Sequence, residues 1–234
     1  MKSTYDYRLY LVTDRELMSS PTLAQGVEQA LAGGCTMVQL REKSASTREF
    51  YETAQEIKDI TQRYQVPLII NDRLDIALAI DADGLHIGQD DLPIAAARRL
   101  LGPDKLLGVS VGSLAEAKQA LADGADYLGV GAMYATATKT DATVVPPEEL
   151  AAIRRNISLP IVIIGGVNQQ TLPRFYGTGI DGAAVVSAIL SQPDIRAAAA
   201  TLKEMTRYLK IPSGHERSGC RKKNKPLFSI WTEP

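Results

Sequence analysis

Short unbroken apolar runs recur along the chain, and helical periodicity fills the gaps between them. The runs are Arg8–Thr13, Thr36–Leu40, Leu68–Asn71, Gly84–Ile87, Leu106–Ser110, Tyr127–Val130, Ile161–Ile164 and Ala183–Val186. They are continuous rather than alternating, as strands buried on both faces of a parallel sheet are. Between them, Leu23, Val27, Ala30 and Leu31 share one helical face, as do Phe50, Ala54, Ile57 and Thr61. The last such face aligns Ile195, Ala199, Leu202, Met205 and Leu209. Ser46 with Glu49 and Ser113 with Glu116 predict capping boxes. Gly33-Gly34, Gly124 and Gly179 predict three helix stops.

Eight strand-then-helix units in roughly 200 residues predict an α/β fold, a (β/α)8 TIM barrel formed as a single domain over residues 1–210. A doubly wound open sheet is the alternative. The periodicity ends at Lys210. Residues 211–234 mix Pro, Gly and Ser with a basic cluster, Arg221-Lys222-Lys223, and end in Leu227, Phe228, Ile230 and Trp231. This composition predicts a disordered tail that the barrel does not need. The alternative is an arm that docks on a partner.

Composition narrows the classes of function. A net charge of −1 argues against a general nucleic-acid binder. The tail carries a local excess of +3, so residues 1–210 hold −4, and any anion site there is a cluster on an acidic background. No apolar run suggests a membrane span, and Met1–Tyr10 lacks a signal pattern, so the expected location is cytoplasmic. Cys35 and Cys220 offer neither a disulfide framework nor metal-ligand spacing, and Cys35 reads as a small buried hydrophobe. His86, within Gly84-Leu85-His86-Ile87, reads as a structural side chain rather than a base.

In a barrel the C-terminal ends of all the strands meet on one face, where chemistry resides. The second strand ends in Gln39-Leu40-Arg41-Glu42-Lys43. Alternation puts Gln39, Arg41 and Lys43 on one side and Glu42 on the other, so the cations suit a polyanion such as a diphosphate. The third and fourth strands lead into Asn71-Asp72-Arg73 and Gly88-Gln89-Asp90-Asp91, and the fifth ends at Ser110. Asp72 and Asp91, on neighbouring loops, suit an oxygen-liganded Mg2+ shared with a diphosphate. Helix capping is their alternative reading. Gly165-Gly166 and Ser187 fall where barrels build phosphate sites from backbone N–H groups. Thr136, Thr138 and Lys139 lie in a long loop able to close over an anion, although no P-loop spacing is present. Two anionic groups at one mouth imply transfer between two phosphorylated ligands.

These residues resemble those of the thiamine phosphate synthase (thiamine-phosphate pyrophosphorylase) family. The matching stretches are Gln39–Lys43, Asn71–Arg73, Gly84–Pro93, Gly108–Ser110, Thr136–Asp141, Ile164–Val167 and Val185–Ile189. The resemblance implies a transferase of thiamine biosynthesis. It would condense hydroxymethylpyrimidine diphosphate with a thiazole phosphate, or its carboxylate, giving thiamine phosphate and pyrophosphate. It further implies that Gln39, Arg41, Lys43, Asn71, Ser110 and Lys139 hold the pyrimidine diphosphate. Of these, Arg41, Lys43, Ser110 and Lys139 are the catalytic candidates. Asp72 and Asp91 would bind Mg2+, and Thr136, Thr138, Gly166, Val186 and Ser187 the thiazole phosphate. The implied partners are these small phosphorylated molecules, with no nucleic acid and no membrane, and a homo-oligomer is left open.

Many family members carry Pro and Phe where this chain has Ala132 and Tyr134, with Tyr134 expected to keep an aromatic surface for the pyrimidine. Two other functions compete. A thiazole tautomerase-like paralogue should not need Arg41, Lys43, Asp72, Asp91 and Lys139 together. A catalytically silent ligand sensor would not need the carboxylate pair.

Overall fold

The computed structural model describes residues 5–135 and 143–210. Eight parallel strands close into a barrel in sequence order, β1 pairing with both β2 and β8. They are β1 Leu9–Val12, β2 Met37–Leu40, β3 Leu68–Asn71, β4 Gly84–Ile87, β5 Leu106–Val111, β6 Tyr127–Val130, β7 Ile161–Ile163 and β8 Gly182–Val185. The helices are α1 Leu23–Ala32, α2 Thr47–Arg63, α3 Leu74–Ala79, α4 Ile94–Leu101, α5 Leu114–Ala122, α6 Pro147–Asn156, α7 Ser187–Leu190 and α8 Ile195–Met205. The predicted barrel is therefore correct and the open sheet is not. Among the described residues no helix is long and apolar enough to cross a membrane.

Local chemistry explains most element ends, and several depart from the predicted pattern. Ser46 and Glu49 form the full reciprocal box at the start of α2. At α5 only half a box forms: Ser113 accepts from the Glu116 N–H, but the Glu116 carboxylate reaches back to the Gly112 N–H instead. Between β7 and β8 the crossover is a single 3-10 turn, Leu172–Phe175, so Gly179 ends a turn rather than a helix. The strand β5 runs one residue beyond Ser110. The last apolar face breaks after Met205, and Leu209 is buried beyond a further 3-10 turn, Thr206–Tyr208.

At the bottom of the barrel each even strand clamps the start of the odd strand before it. The N–H of Leu9 donates to Thr36 Oγ1, that of Leu68 to Asp83, that of Leu107 to Asp126 and that of Ile161 to Asp181. These side chains satisfy amides at strand starts that would otherwise be unpaired. Helices cover the outside with one continuous apolar shell. The inward side chains Tyr10, Val12, Met37, Ile69, Leu106, Tyr127, Val162 and Ala184 form a separate interior core. That plug leaves the strand C-terminal ends as the open, functional face.

Candidate active site

At the C-terminal face β1 and β2 place the first pair of charges. The strand β2 ends at Leu40, but the Arg41 N–H still reaches Thr13 Oγ1 at 2.9 Å, which continues the ladder through a side chain. The Arg41 guanidinium donates from Nη1 to Asp14 Oδ2 at 3.2 Å, with both side chains mostly buried. Lys43 reaches across to β3, its Nζ 2.5 Å from Asp72 Oδ2. Glu42 points the other way and pairs with Arg15 at 2.8 Å. The predicted alternation, Arg41 and Lys43 against Glu42, thus holds past the end of the strand.

The two carboxylates read as metal ligands are not helix caps. The helices that follow them have Arg73 and Pro93 at the N-cap, with no side-chain cap. Asp72 sits in the left-handed region at φ 60°, its N–H bonded to the His86 carbonyl at 2.9 Å. Its Oδ1 accepts from Asn71 Nδ2 at 2.6 Å. Asp91 Oδ2 accepts from the Gly88 N–H at 2.7 Å. Burial pushes the Asp91 carboxyl upward, the Gly88 N–H opposes this, and the adjoining Asp72 charge and side chain push it up further. Among the described residues no group of three or more His, Cys, Asp or Glu could hold a metal, so this is a two-carboxylate arrangement. Arg73 turns away from it, donating to Asp75 and Thr47 and lying 6.0 Å over the Phe50 ring.

Ser110 stands on β5 beside Gly129 of β6, and the Gln89 amide holds its carbonyl at 2.6 Å. His86 fits the structural reading: it is buried, and burial pushes its imidazole down to about 4. Its Nε2 nevertheless lies 2.9 Å from Ser110 Oγ. Cys35 is likewise buried, its thiol pushed up to about 12.

Across the mouth Gly165 and Gly166 turn at φ 91° and 66°. A side chain at Gly166 would bring its Cβ 2.6 Å from Tyr134 Cβ, so glycine is required sterically as well as conformationally. Val186 is not the last strand residue but the N-cap of the four-residue α7, which Ser187 opens. The first amides of such a helix have no intrahelical acceptor and point outward. The Tyr134 ring meets Phe175 edge-on, with centroids 6.2 Å apart, and Arg174 lies 5.9 Å over it. That aromatic surface is engaged on the β7–β8 side, beside an apolar cavity of 340 Å³. Thr136, Thr138 and Lys139 lie outside the described residues, as does the tail 211–234.

Asp14, two residues past the end of β1, joins the mouth with no sequence signal beyond its place near a strand end. Tyr10 and Tyr127, buried in the barrel interior, carry no sequence signal beyond their place in apolar strands.

Residues 9–189 match the family model described as thiamine monophosphate synthase. The thiamine-phosphate synthase of Ruminiclostridium cellulolyticum is 58% identical over 205 residues, which span 88% of this chain and 98% of the relative. That of Clostridium beijerinckii is 56% identical over 211 residues, spanning 90% of this chain and all of the relative (100%). The solved thiamine phosphate pyrophosphorylase of Pyrococcus furiosus superposes with a TM-score of 0.80 at 38% identity, over 88% of this chain and 98% of that one. The closed barrel and these likenesses agree, and the chain belongs to the thiamine monophosphate synthase family.

Proposed function

We propose that the mouth joins hydroxymethylpyrimidine diphosphate to a thiazole phosphate, releasing pyrophosphate and forming thiamine phosphate. The observation that carries this reading is the Lys43 ammonium 2.5 Å from Asp72, with Asp91 adjoining and Arg41 on the same wall. Cations and carboxylates interleaved at one barrel mouth suit a diphosphate that arrives with a divalent ion.

The donor set fits Mg2+. Burial, and after it the facing Asp72 carboxylate, push the Asp91 carboxyl up, and the Lys43 ammonium at Asp72 acts against this. Mg2+ is commonly held by one or two carboxylates completed by substrate phosphate and water. Asp72 and Asp91 would hold it, and when bound it would supply positive charge to the departing diphosphate.

The chain's own residues do the rest. Arg41 and Lys43 exchange part of their contact with Asp14 and Asp72 for diphosphate oxygens. They stabilise the charge that grows as the carbon–oxygen bond breaks with its electron pair on the leaving group. Lys139 adds to this from the loop after β6. Gln39, Asn71 and Ser110 orient the pyrimidine, whose amino group delocalises the positive charge left on its methylene. Gly166, Val186 and Ser187 hold the thiazole phosphate through outward amides, with Thr136 and Thr138 closing over it. The thiazole nitrogen then forms the new carbon–nitrogen bond, a capture made effectively intramolecular by positioning. No side-chain nucleophile or strong base takes part. Soluble phosphorylated substrates suit a cytoplasmic enzyme.

The test is turnover of the two purified substrates with Mg2+ by the full chain, reading thiamine phosphate and pyrophosphate together. Equal amounts of both are expected. Folded protein at saturating Mg2+ that forms neither would overturn the proposal.

A further inference from the structure

Polar groups inside the barrel form one connected path between Gln39 and Ser110. Gln39 Nε2 donates to Tyr10 Oη at 2.9 Å, and the Tyr10 and Tyr127 hydroxyls lie 2.8 Å apart. Tyr127 Oη is 3.0 Å from His86 Nδ1, and His86 Nε2 is 2.9 Å from Ser110 Oγ. Tyr10 and Tyr127 are almost wholly enclosed, and Gln39 and His86 are buried. Branched aliphatic side chains are the ordinary filling of a barrel interior, so a polar path there calls for a reason.

The backbone is shaped around the path. A Cβ at Gly108 would lie 2.3 Å from Tyr127 Oη and 2.4 Å from His86 Nδ1. One at Gly129 would lie 3.1 Å from His86 Cε1. Two adjacent strands thus lack inward side chains at the places where the imidazole crosses toward Ser110.

Counting protons gives the path a direction. Tyr10 accepts from Gln39, and the arrangement that gives every hydroxyl proton on the path an acceptor sends the Tyr10 proton to Tyr127. The Tyr127 proton then goes to His86 Nδ1. A neutral imidazole carries one proton, which must sit on Nε2 and be donated to Ser110 Oγ. Ser110 keeps its hydroxyl proton for the mouth, and Gln39 keeps its amide oxygen. Turning the Gln39 amide over reverses every link, and Ser110 then donates its proton to Nε2.

We propose that Tyr10, Tyr127 and His86 are positioning residues that impose hydrogen-bond polarity on the mouth, making Ser110 a donor and Gln39 an acceptor toward the substrate. An aminopyrimidine edge offers the complement, an amino N–H beside a ring nitrogen. The proposal rests on reading Gln39 and Ser110 as pyrimidine-diphosphate residues.

Nitrogen NMR of the full chain labelled with 15N-histidine tests the polarity at neutral pH, with the His86 signals assigned by their absence from His86→Asn. The expected signature is a protonated Nε2 and a pyridine-type Nδ1, whereas a proton on Nδ1 overturns the proposal. Kinetics supply a second readout. Tyr127→Phe should raise KM for the pyrimidine diphosphate about tenfold and leave KM for the thiazole phosphate unchanged. Ser110→Ala should then cost less in the Tyr127→Phe background than alone, since both interrupt one network. Full additivity, or wild-type kinetics from Tyr127→Phe, overturns the proposal. Should Tyr127→Phe not fold, Tyr10→Phe breaks the path one link earlier. Wild-type protein that forms no thiamine phosphate would sink the proposed function while leaving the tautomer measurement standing.

Discussion

Among the described residues, both cations of the β2 end are paired with carboxylates. Arg41 lies against Asp14 and Lys43 against Asp72, while Asp91 is satisfied in part by one backbone N–H. Asp72→Ala removes a carboxylate from the metal pair and frees Lys43, and steady-state turnover is expected to fall about 10²-fold with folding intact by circular dichroism. Asp91 carries a second expectation, read from stability rather than activity. Burial and the Asp72 charge raise its carboxyl above the unfolded value. The folded chain therefore binds this proton more tightly than the unfolded chain, and stability is lost as pH rises through the raised value. Without divalent ions, Asp91→Asn should raise Tm at neutral pH and leave it little changed in acid. Added Mg2+ should raise wild-type Tm more at neutral than at acidic pH, and should not raise that of Asp91→Asn. An equal Mg2+ shift in both proteins would remove Asp91 from the site.

At the scale of elements, two helix starts with the same sequence signature differ. The α2 start closes a reciprocal box between Ser46 and Glu49, whereas Glu116 of α5 spends its carboxylate on Gly112. Ser46→Ala is expected to cost about 1 kcal/mol in urea unfolding with turnover unchanged, because the cap lies outside the proposed site. Within the barrel, Gly108 pairs with His86 on β4 and Tyr127 on β6. Gly108→Ala drives a methyl into their hydrogen bond and should destabilise by about 1–3 kcal/mol. It should also impair turnover, unlike Ser46→Ala, so urea unfolding and steady-state assays together separate packing at the path from packing elsewhere. The 3-10 turn between β7 and β8 brings Phe175 and Arg174 onto the Tyr134 ring.

For the whole molecule, the barrel is complete without residues 211–234, since all eight strands and their crossovers lie before Lys210. A relative matched over its full length leaves a tenth of this chain without counterpart. Deletion of residues 211–234 should leave steady-state turnover unchanged, and a large loss would assign the tail a role in the site. The sequence by itself determined the eight-unit order, the buried helix faces over Leu23–Leu31 and Phe50–Thr61, and the strand ends where charged and glycine residues gather. Those features are local: apolar period, run length and turn residues act over a few positions. Only the tertiary structure decided which groups meet. Arg41 and Asp14 are 27 positions apart, His86 and Tyr127 are 41, and Tyr10 and Tyr127 are 117. Their meeting depends on strand register and on which residues point inward, and a shift of one residue reverses that choice along a whole strand. Likewise only the structure places Arg73 over Phe50 and leaves both aspartates out of the caps of the helices that follow them. It also joined Gln39 to Ser110 through side chains that, in the sequence, look only like parts of strands.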